Sequence, residues 1–287
     1  MLEQITTSEL LLALSIIVGI LAGIVTLWEK ILNGAKWIIK YLKNGLARFK
    51  KMPSNPFDDQ GRITDSSRFF GRHELLRTVF EELKKGTNLS LIGKTQMGNS
   101  SLLYQVYQTG AKELPGTHFI YLDMQIVHDE GDFFKALCSE IGISECRGFE
   151  LHRALRGKRY VLCLDNIERM TNQLFSGDER TELRGLAESA DAPLTLLIAS
   201  HSPLAELFPD SPLEVSPLAG ICHTIEMLPF SKQEVYAFIE TRLHSTGRQF
   251  TETEIETIWQ ESQGHPAKIQ QVAKALFEQS ITTRIVF

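Results

Sequence analysis

The sequence predicts an α/β fold in which helices cover a parallel sheet, a phosphate-binding loop follows the first strand, and a smaller helical piece closes the C-terminal end. Three observations carry this reading. Short apolar runs alternate with helical periodicity through the middle of the 287 residues. The first run leads directly into Gly93-Lys94-Thr95-Gln96-Met97-Gly98-Asn99-Ser100-Ser101, a glycine-spaced loop that opens a helix. A later run, Tyr160-Val161-Leu162-Cys163-Leu164, ends in Asp165.

Each strand has its own signal. Residues 88–92, 117–123, 159–165, 194–200 and 224–228 are short, rich in Leu, Ile, Val and aromatic residues, and bounded by polar or glycine-containing turns. Helical periodicity fills the gaps between them. After the last strand, Ser231 stands three residues before Glu234, the spacing of a capping box, and starts the helical piece. The layout read from the sequence is therefore a membrane anchor at 1–28, a basic amphipathic helix at 29–52, a linker at 53–67, the α/β core at 68–228 and a helical lid at 229–287.

The loop at 93–101 has the frame of a P-loop with one substitution. Such loops close successive backbone N–H groups around phosphates, extend a lysine to the β/γ-phosphates and hold Mg²⁺ with a Ser/Thr hydroxyl. Gly93 and Gly98 keep the spacing, Ser100 keeps the hydroxyl, and Asn99 stands where the lysine belongs. An amide donates hydrogen bonds but brings no charge. Asp165, at a strand end, is placed to orient Mg²⁺. The residue after it, which activates water as glutamate in many hydrolysing proteins, is Asn166; Glu168 lies two residues further on. Lys94 is the residue that can swing inward as a substitute cation.

Composition excludes several classes. At 43% hydrophobic and 23% charged, the chain is neither disordered nor collagenous. Its net charge of −5 is unevenly spread: Lys30, Lys36, Lys40, Lys43, Arg48, Lys50 and Lys51 cluster against Glu29 alone. The acidic remainder argues against nucleic acid as a partner. Cys138, Cys146, Cys163 and Cys222 lack metal or disulfide-framework spacing and read as reduced thiols.

Residues 10–28 are uncharged and of the length, roughly 20 residues, that crosses a bilayer as a helix. The acids before the run, Glu3 and Glu9, disfavour a signal peptide. With all the lysines behind it, the run predicts a single-pass protein with its N-terminus outside and its α/β domain in the cytoplasm. The basic stretch after it, with Ile31, Ile38, Leu42, Leu46 and Phe49 on one helical face, predicts contact with membrane lipid.

The order of motifs resembles that of STAND and related AAA+ P-loop NTPases over residues 68–280. Phe69-Phe70-Gly71-Arg72-His73-Glu74-Leu75 is similar to their lead-in motif beside the adenine, Ala199-Ser200-His201 to the end of their sensor strand, and Gly264-His265-Pro266 to the Gly-x-Pro of their lid. The resemblance implies ATP or ADP and Mg²⁺ as ligands. By the same resemblance Pro266 and Arg72 lie at the adenine, Gly93, Lys94, Gly98, Asn99, Ser100 and Ser101 surround the phosphates, Ser100 and Asp165 address the metal, and Ser200 senses the γ-phosphate. His201 replaces a frequent arginine of the family. Three functions remain open: a membrane-anchored regulatory protein that binds nucleotide but hydrolyses it poorly, with a partner protein, a sensor subunit or a second copy supplying the trigger; an active membrane-anchored ATPase using Lys94 and Glu168; and a nucleotide-free membrane adaptor.

Overall fold

Five strands form one sheet in which every pairing is parallel. β1 (Asn88–Ile92) lies between β4 (Leu194–Ser200) and β5 (Cys222–Glu226), while β3 (Arg159–Asp165) lies between β4 and the edge strand β2 (Thr117–Asp123). Four of the five strands have the bounds read from the sequence. The last lies two residues earlier at both ends, Cys222–Glu226 in place of 224–228, because its ladder runs beside β1 from Asn88↔Cys222 to Ile92↔Glu226. The computed structural model describes residues 18, 19, 21, 23, 26–41, 55–188, 191–209 and 218–285.

The alternation of side chains explains why both faces of the sheet are covered. On β3, Tyr160, Leu162 and Leu164 enter one apolar cluster with Leu137, Leu151 and Leu183 of the helices Glu130–Ile141 (α3), Gly148–Leu155 (α4) and Asp178–Ala187 (α5). Val161 and Cys163 enter the opposite cluster with Val79, Leu102 and Leu103 of the helices His73–Lys84 (α1) and Asn99–Glu113 (α2). A short turn of helix at Leu204–Leu207 (α6) follows β4. All four cysteines are free, and burial pushes the Cys163 thiol well above its usual range.

The lid comprises Lys232–Leu243 (α7), Glu252–Ser262 (α8) and Pro266–Ile285 (α9). Ser231 and Glu234 form the expected reciprocal capping box, and Thr251 and Glu254 form a second. The lid has its own core of Val235, Ile239, Ile258, Ile269 and Phe277. Phe57 is part of that core. It is 1% exposed and sits against the rings of Phe238, Phe250 and Phe277. The stretch from Asn55 to Ser67, which reads as a linker, is therefore a strap packed on the lid and the core. The composition of a linker and of a strap is the same; the difference is one aromatic anchor and a set of long-range polar contacts.

The membrane reading is corrected. Most of residues 10–28 lie outside the described residues, and among the described residues no helix is long and apolar enough to cross a membrane. The anchor, the lipid partner, the single-pass topology and the membrane-based functions built on it fall with that finding. Within 26–41, Trp37 and Tyr41 stack at 5.4 Å and are exposed. The chain divides at Ser54/Asn55 into two units, and the α/β body with its lid is the second.

Candidate functional site

The loop 93–98 joins β1 to α2 at the C-terminal ends of the strands, where open parallel sheets bind ligands. It turns through left-handed conformations at Gln96 (φ 62°) and Gly98 (φ 97°) before the helix begins. Gly93 is fixed by a close approach: a Cβ there would lie 2.4 Å from Asn99 Oδ1 and 2.7 Å from Met227 Cβ.

Asn99 is turned into the protein. Its Nδ2 donates to the carbonyls of Gly93 (2.9 Å) and Ser200 (2.8 Å), and only 8% of the residue is exposed. The backbone N–H of Gly93 donates to the same Ser200 carbonyl at 3.2 Å. The residue in the lysine position thus ties the start of the loop to the end of β4 and does not face a phosphate. Lys94 is exposed and lines the cleft in front of the loop.

Asp165, at the end of β3, is 2% exposed and already has a full set of partners. Oδ1 accepts from Ser100 Oγ (2.9 Å) and the Asn166 N–H (3.1 Å); Oδ2 accepts from the Tyr121 hydroxyl (2.6 Å). Burial pushes its carboxyl above the usual range despite the hydrogen bonds from Tyr121 and Ser100, and burial with Asp165 beside it raises the Tyr121 phenol. Arg62 completes the cluster. Its Nη1 donates to the Tyr121 hydroxyl and lies 3.5 Å from Asp123 Oδ2 and 3.7 Å from Asp165 Oδ2. The guanidinium carbon is 4.6 Å and 4.7 Å from the ring centres of Tyr104 and Tyr121.

The other candidate groups are dispersed around this cluster. Asn166 has a left-handed backbone (φ 57°) and donates through Nδ2 to Asp123 Oδ1 at 2.9 Å. Glu168 is held by His201: its Oε1 accepts from the His201 backbone N–H and lies 3.0 Å from His201 Nδ1. Ser200 is 2% exposed, and its hydroxyl is buried without a partner. The sequence offered no signal for Arg62 or Tyr121, because neither belongs to a spaced motif and their roles arise only when the strap meets β2 and β3.

Two adjoining spaces share the loop. An open cleft of about 900 Å³ is lined by Lys94, Gly98, Ser100, Asp165, Arg62 and Lys268 among others. Beside it an apolar recess of about 80 Å³ is lined by Arg72, Met97, Ser101, Phe230, Pro266 and Ile269. Arg72 lies 4.5 Å over the Phe230 ring and donates to the Leu228 carbonyl at 2.5 Å. The lid meets the loop through His265, whose Nε2 is 3.1 Å from the Thr95 carbonyl. Gly264, next in the chain, is fixed by a different approach: at φ 75°, a Cβ there would stand 2.0 Å from the Phe230 carbonyl oxygen.

Solved structures with this arrangement are numerous. The chain superposes on a Walker-type ATPase of Pyrococcus abyssi with a TM-score of 0.58 and 18% identity, over 75% of this chain and 69% of that one. It superposes on the Aeropyrum pernix ORC2 protein, solved as ADPNP–ADP complexes, with a TM-score of 0.57 and 14% identity over 82% and 68%. For the RuvB Holliday junction branch migration motor of Thermotoga maritima the values are 0.52 and 18% over 78% and 67%. The chain shares the parallel α/β P-loop fold of these structures. No family model matches the chain. No curated protein matches it either.

Within this fold, a nucleotide fits the residues present, whereas Mg²⁺ does not. The loop amides and α2 supply anion-binding dipoles, and the recess supplies an apolar wall. Mg²⁺ demands near-octahedral oxygen ligands at about 2.0–2.1 Å. Here both oxygens of Asp165 are occupied by hydroxyl and amide donors, and a guanidinium faces them.

Proposed function

We propose that this chain is a nucleotide-binding regulatory protein of the AAA+ type, close in its motif order to the STAND group, that holds ATP or ADP with little or no hydrolysis. The observation that carries the reading is Asn99: the residue that should bring a cation to the phosphates is an amide spent on the Gly93 and Ser200 carbonyls. Removing one charge-stabilising donor from a transferring group typically costs on the order of 2.7–4 kcal/mol of transition-state stabilisation. Asn166 in place of a glutamate removes a second group, and Glu168 is engaged by His201. The glycine loop, the recess beside Arg72 and Pro266, and Gly98, which lines both spaces, support retained binding of the purine and its phosphates. The nucleotides bound to the Aeropyrum pernix relative agree with that ligand class.

In this reading the bound nucleotide sets the position of the lid through the His265 contact to the loop, and a partner protein or a second copy reads that position. The test is a paired measurement on the full chain: thermal unfolding with and without ADP or ATP, and phosphate release. We expect a rise in Tm with either nucleotide and phosphate release at the background rate. Sustained release that Lys94→Ala abolishes would establish the active ATPase instead. No Tm shift with any nucleotide, and no nucleotide in the purified protein, would leave the fold as a scaffold.

A further inference from the structure

We propose that Arg62 takes the cation position of this site, excluding divalent metal ions, so that nucleotide phosphates are met by a guanidinium of the chain itself. The second half of this statement rests on the nucleotide reading above; the first half does not.

The strap holds Arg62 in place from both sides. On the lid side Phe57 is buried among three phenylalanines, and Asp59 pairs with Arg68 (2.5 Å) and Arg242 (2.7 Å). On the core side the Ile63 N–H donates to Ser101 Oγ at 3.0 Å, and Ser66 Oγ donates to Gln105 at 3.0 Å. Between these anchors the guanidinium enters the space bounded by Tyr104, Tyr121, Asp123 and Asp165. The two aromatic faces and the two carboxylates all favour a cation there.

A metal ion would have to compete for oxygens that are already committed. Asp165 is satisfied on both oxygens, and Asp123 Oδ1 accepts from Asn166 Nδ2 (2.9 Å) and the Gln125 N–H (3.1 Å). What remains, Asp123 Oδ2, faces Arg62. A dication seated between Ser100 and Asp165 would sit beside a like charge with no vacant carboxylate to coordinate it. Among the described residues there is no group of three or more His, Cys, Asp or Glu side chains that could hold a metal elsewhere.

The same guanidinium is not sealed from the cleft. Its side chain is 28% exposed, and Arg62 lines the cleft together with Lys94 and Lys268. An anion entering in front of the loop therefore meets a held guanidinium and two exposed lysines. The same lining carries Asp58, Asp59, Asp123 and Asp165 against Arg62, Lys94, Lys268 and Lys274, so its charges are balanced before a ligand enters and Arg62 is the cation held nearest the loop hydroxyl's carboxylate partner.

Two arms test the proposal on the full chain. In the first, Mn²⁺ alone is titrated and its binding followed by electron paramagnetic resonance. We expect no bound Mn²⁺ in the wild type and one site in Arg62→Ala, built on the Asp123 Oδ2 that the guanidinium faces, that is lost again in Arg62→Ala with Asp123→Asn. Stoichiometric Mn²⁺ binding by the wild type, or none by a folded Arg62→Ala, would overturn the assignment. Folding of the variant is checked by its thermal transition, and Arg62→Lys, which keeps the charge, should exclude Mn²⁺ as the wild type does. In the second arm ADP affinity is measured in EDTA and in Mg²⁺. We expect the two wild-type values to agree, and Arg62→Ala to lose about tenfold in EDTA. A wild-type affinity that depends on Mg²⁺, or one unmoved by Arg62→Ala, would overturn it. Absence of ADP binding with the expected Mn²⁺ result would remove the nucleotide reading and leave the cation assignment standing.

Discussion

The two ends of the cleft are built on opposite principles. At the phosphate end most polar side chains are tied down: Asn99 to the Gly93 and Ser200 carbonyls, Asp165 to Ser100 and Tyr121, Asn166 to Asp123, Glu168 to His201, while the Ser200 hydroxyl stays buried without a partner. At the lid end the surfaces of Met97, Phe230, Pro266 and Ile269 leave an apolar recess open. A site evolved for turnover keeps polar groups poised and unspent for the moment when charge develops. Here the loop-lysine position is an amide turned inward and Glu168 is engaged by His201, whereas the apolar wall is kept. The difference separates holding a ligand from transforming it.

The largest expected effect is at the lid end. Phe57→Ala empties the space between Phe238, Phe250 and Phe277, and truncation of a buried phenylalanine costs about 3–5 kcal/mol. In a unit of this size each kcal/mol lowers Tm by about 2–4 °C, so thermal unfolding should show a fall on the order of 10 °C. Because Phe57 also anchors the strap that delivers Arg62, ADP binding should weaken in the same variant. An unchanged Tm would mean that the strap is not part of the lid core.

Much of this arrangement can be read before any coordinates. The four strands from β1 to β4 follow from apolar runs of the right length, the loop from its two glycines, and the lid from the Ser231/Glu234 box. These are local signals, and local physics produces them. The strap is the contrary case. Asn55 to Ser67 contains Asp, Gly and Ser at the density of a linker, and its order comes from Phe57 and Arg62 reaching residues far away in sequence. Asn99 was legible as a missing lysine, but that its amide would turn inward to two carbonyls was not, because Ser200 approaches the loop only when β4 is paired beside β1. The membrane reading of residues 10–28 failed for a different reason: an apolar run measures hydrophobicity, and no described helix combines that hydrophobicity with the required length.

A smaller effect tests the phosphate end. Asn99→Ala removes the donor shared by the Gly93 and Ser200 carbonyls. Each hydrogen bond is worth about 0.5–1.5 kcal/mol net, and Ser200 keeps the Gly93 N–H, so the loss should be near 1–2 kcal/mol by denaturant unfolding. Phosphate release should stay at background in this variant, as in the wild type. A stability unchanged by Asn99→Ala would show that the amide is not what closes the loop, and would return it to the role of a phosphate donor.

The smallest effect belongs to Lys94, and it separates the two ends most sharply. Its side chain is exposed at the cleft, where an ion pair with a phosphate is screened by water and worth about 0.2–1 kcal/mol. Lys94→Ala should therefore leave Tm unchanged and weaken ADP binding by no more than about fivefold. The loss should shrink further as salt is raised, since exposed pairs are the ones that added ions screen. A much larger, salt-insensitive loss would mean that Lys94 folds into the loop on ligand binding and replaces the missing lysine. The phosphate end would then be poised after all, and the contrast between it and the lid end would disappear.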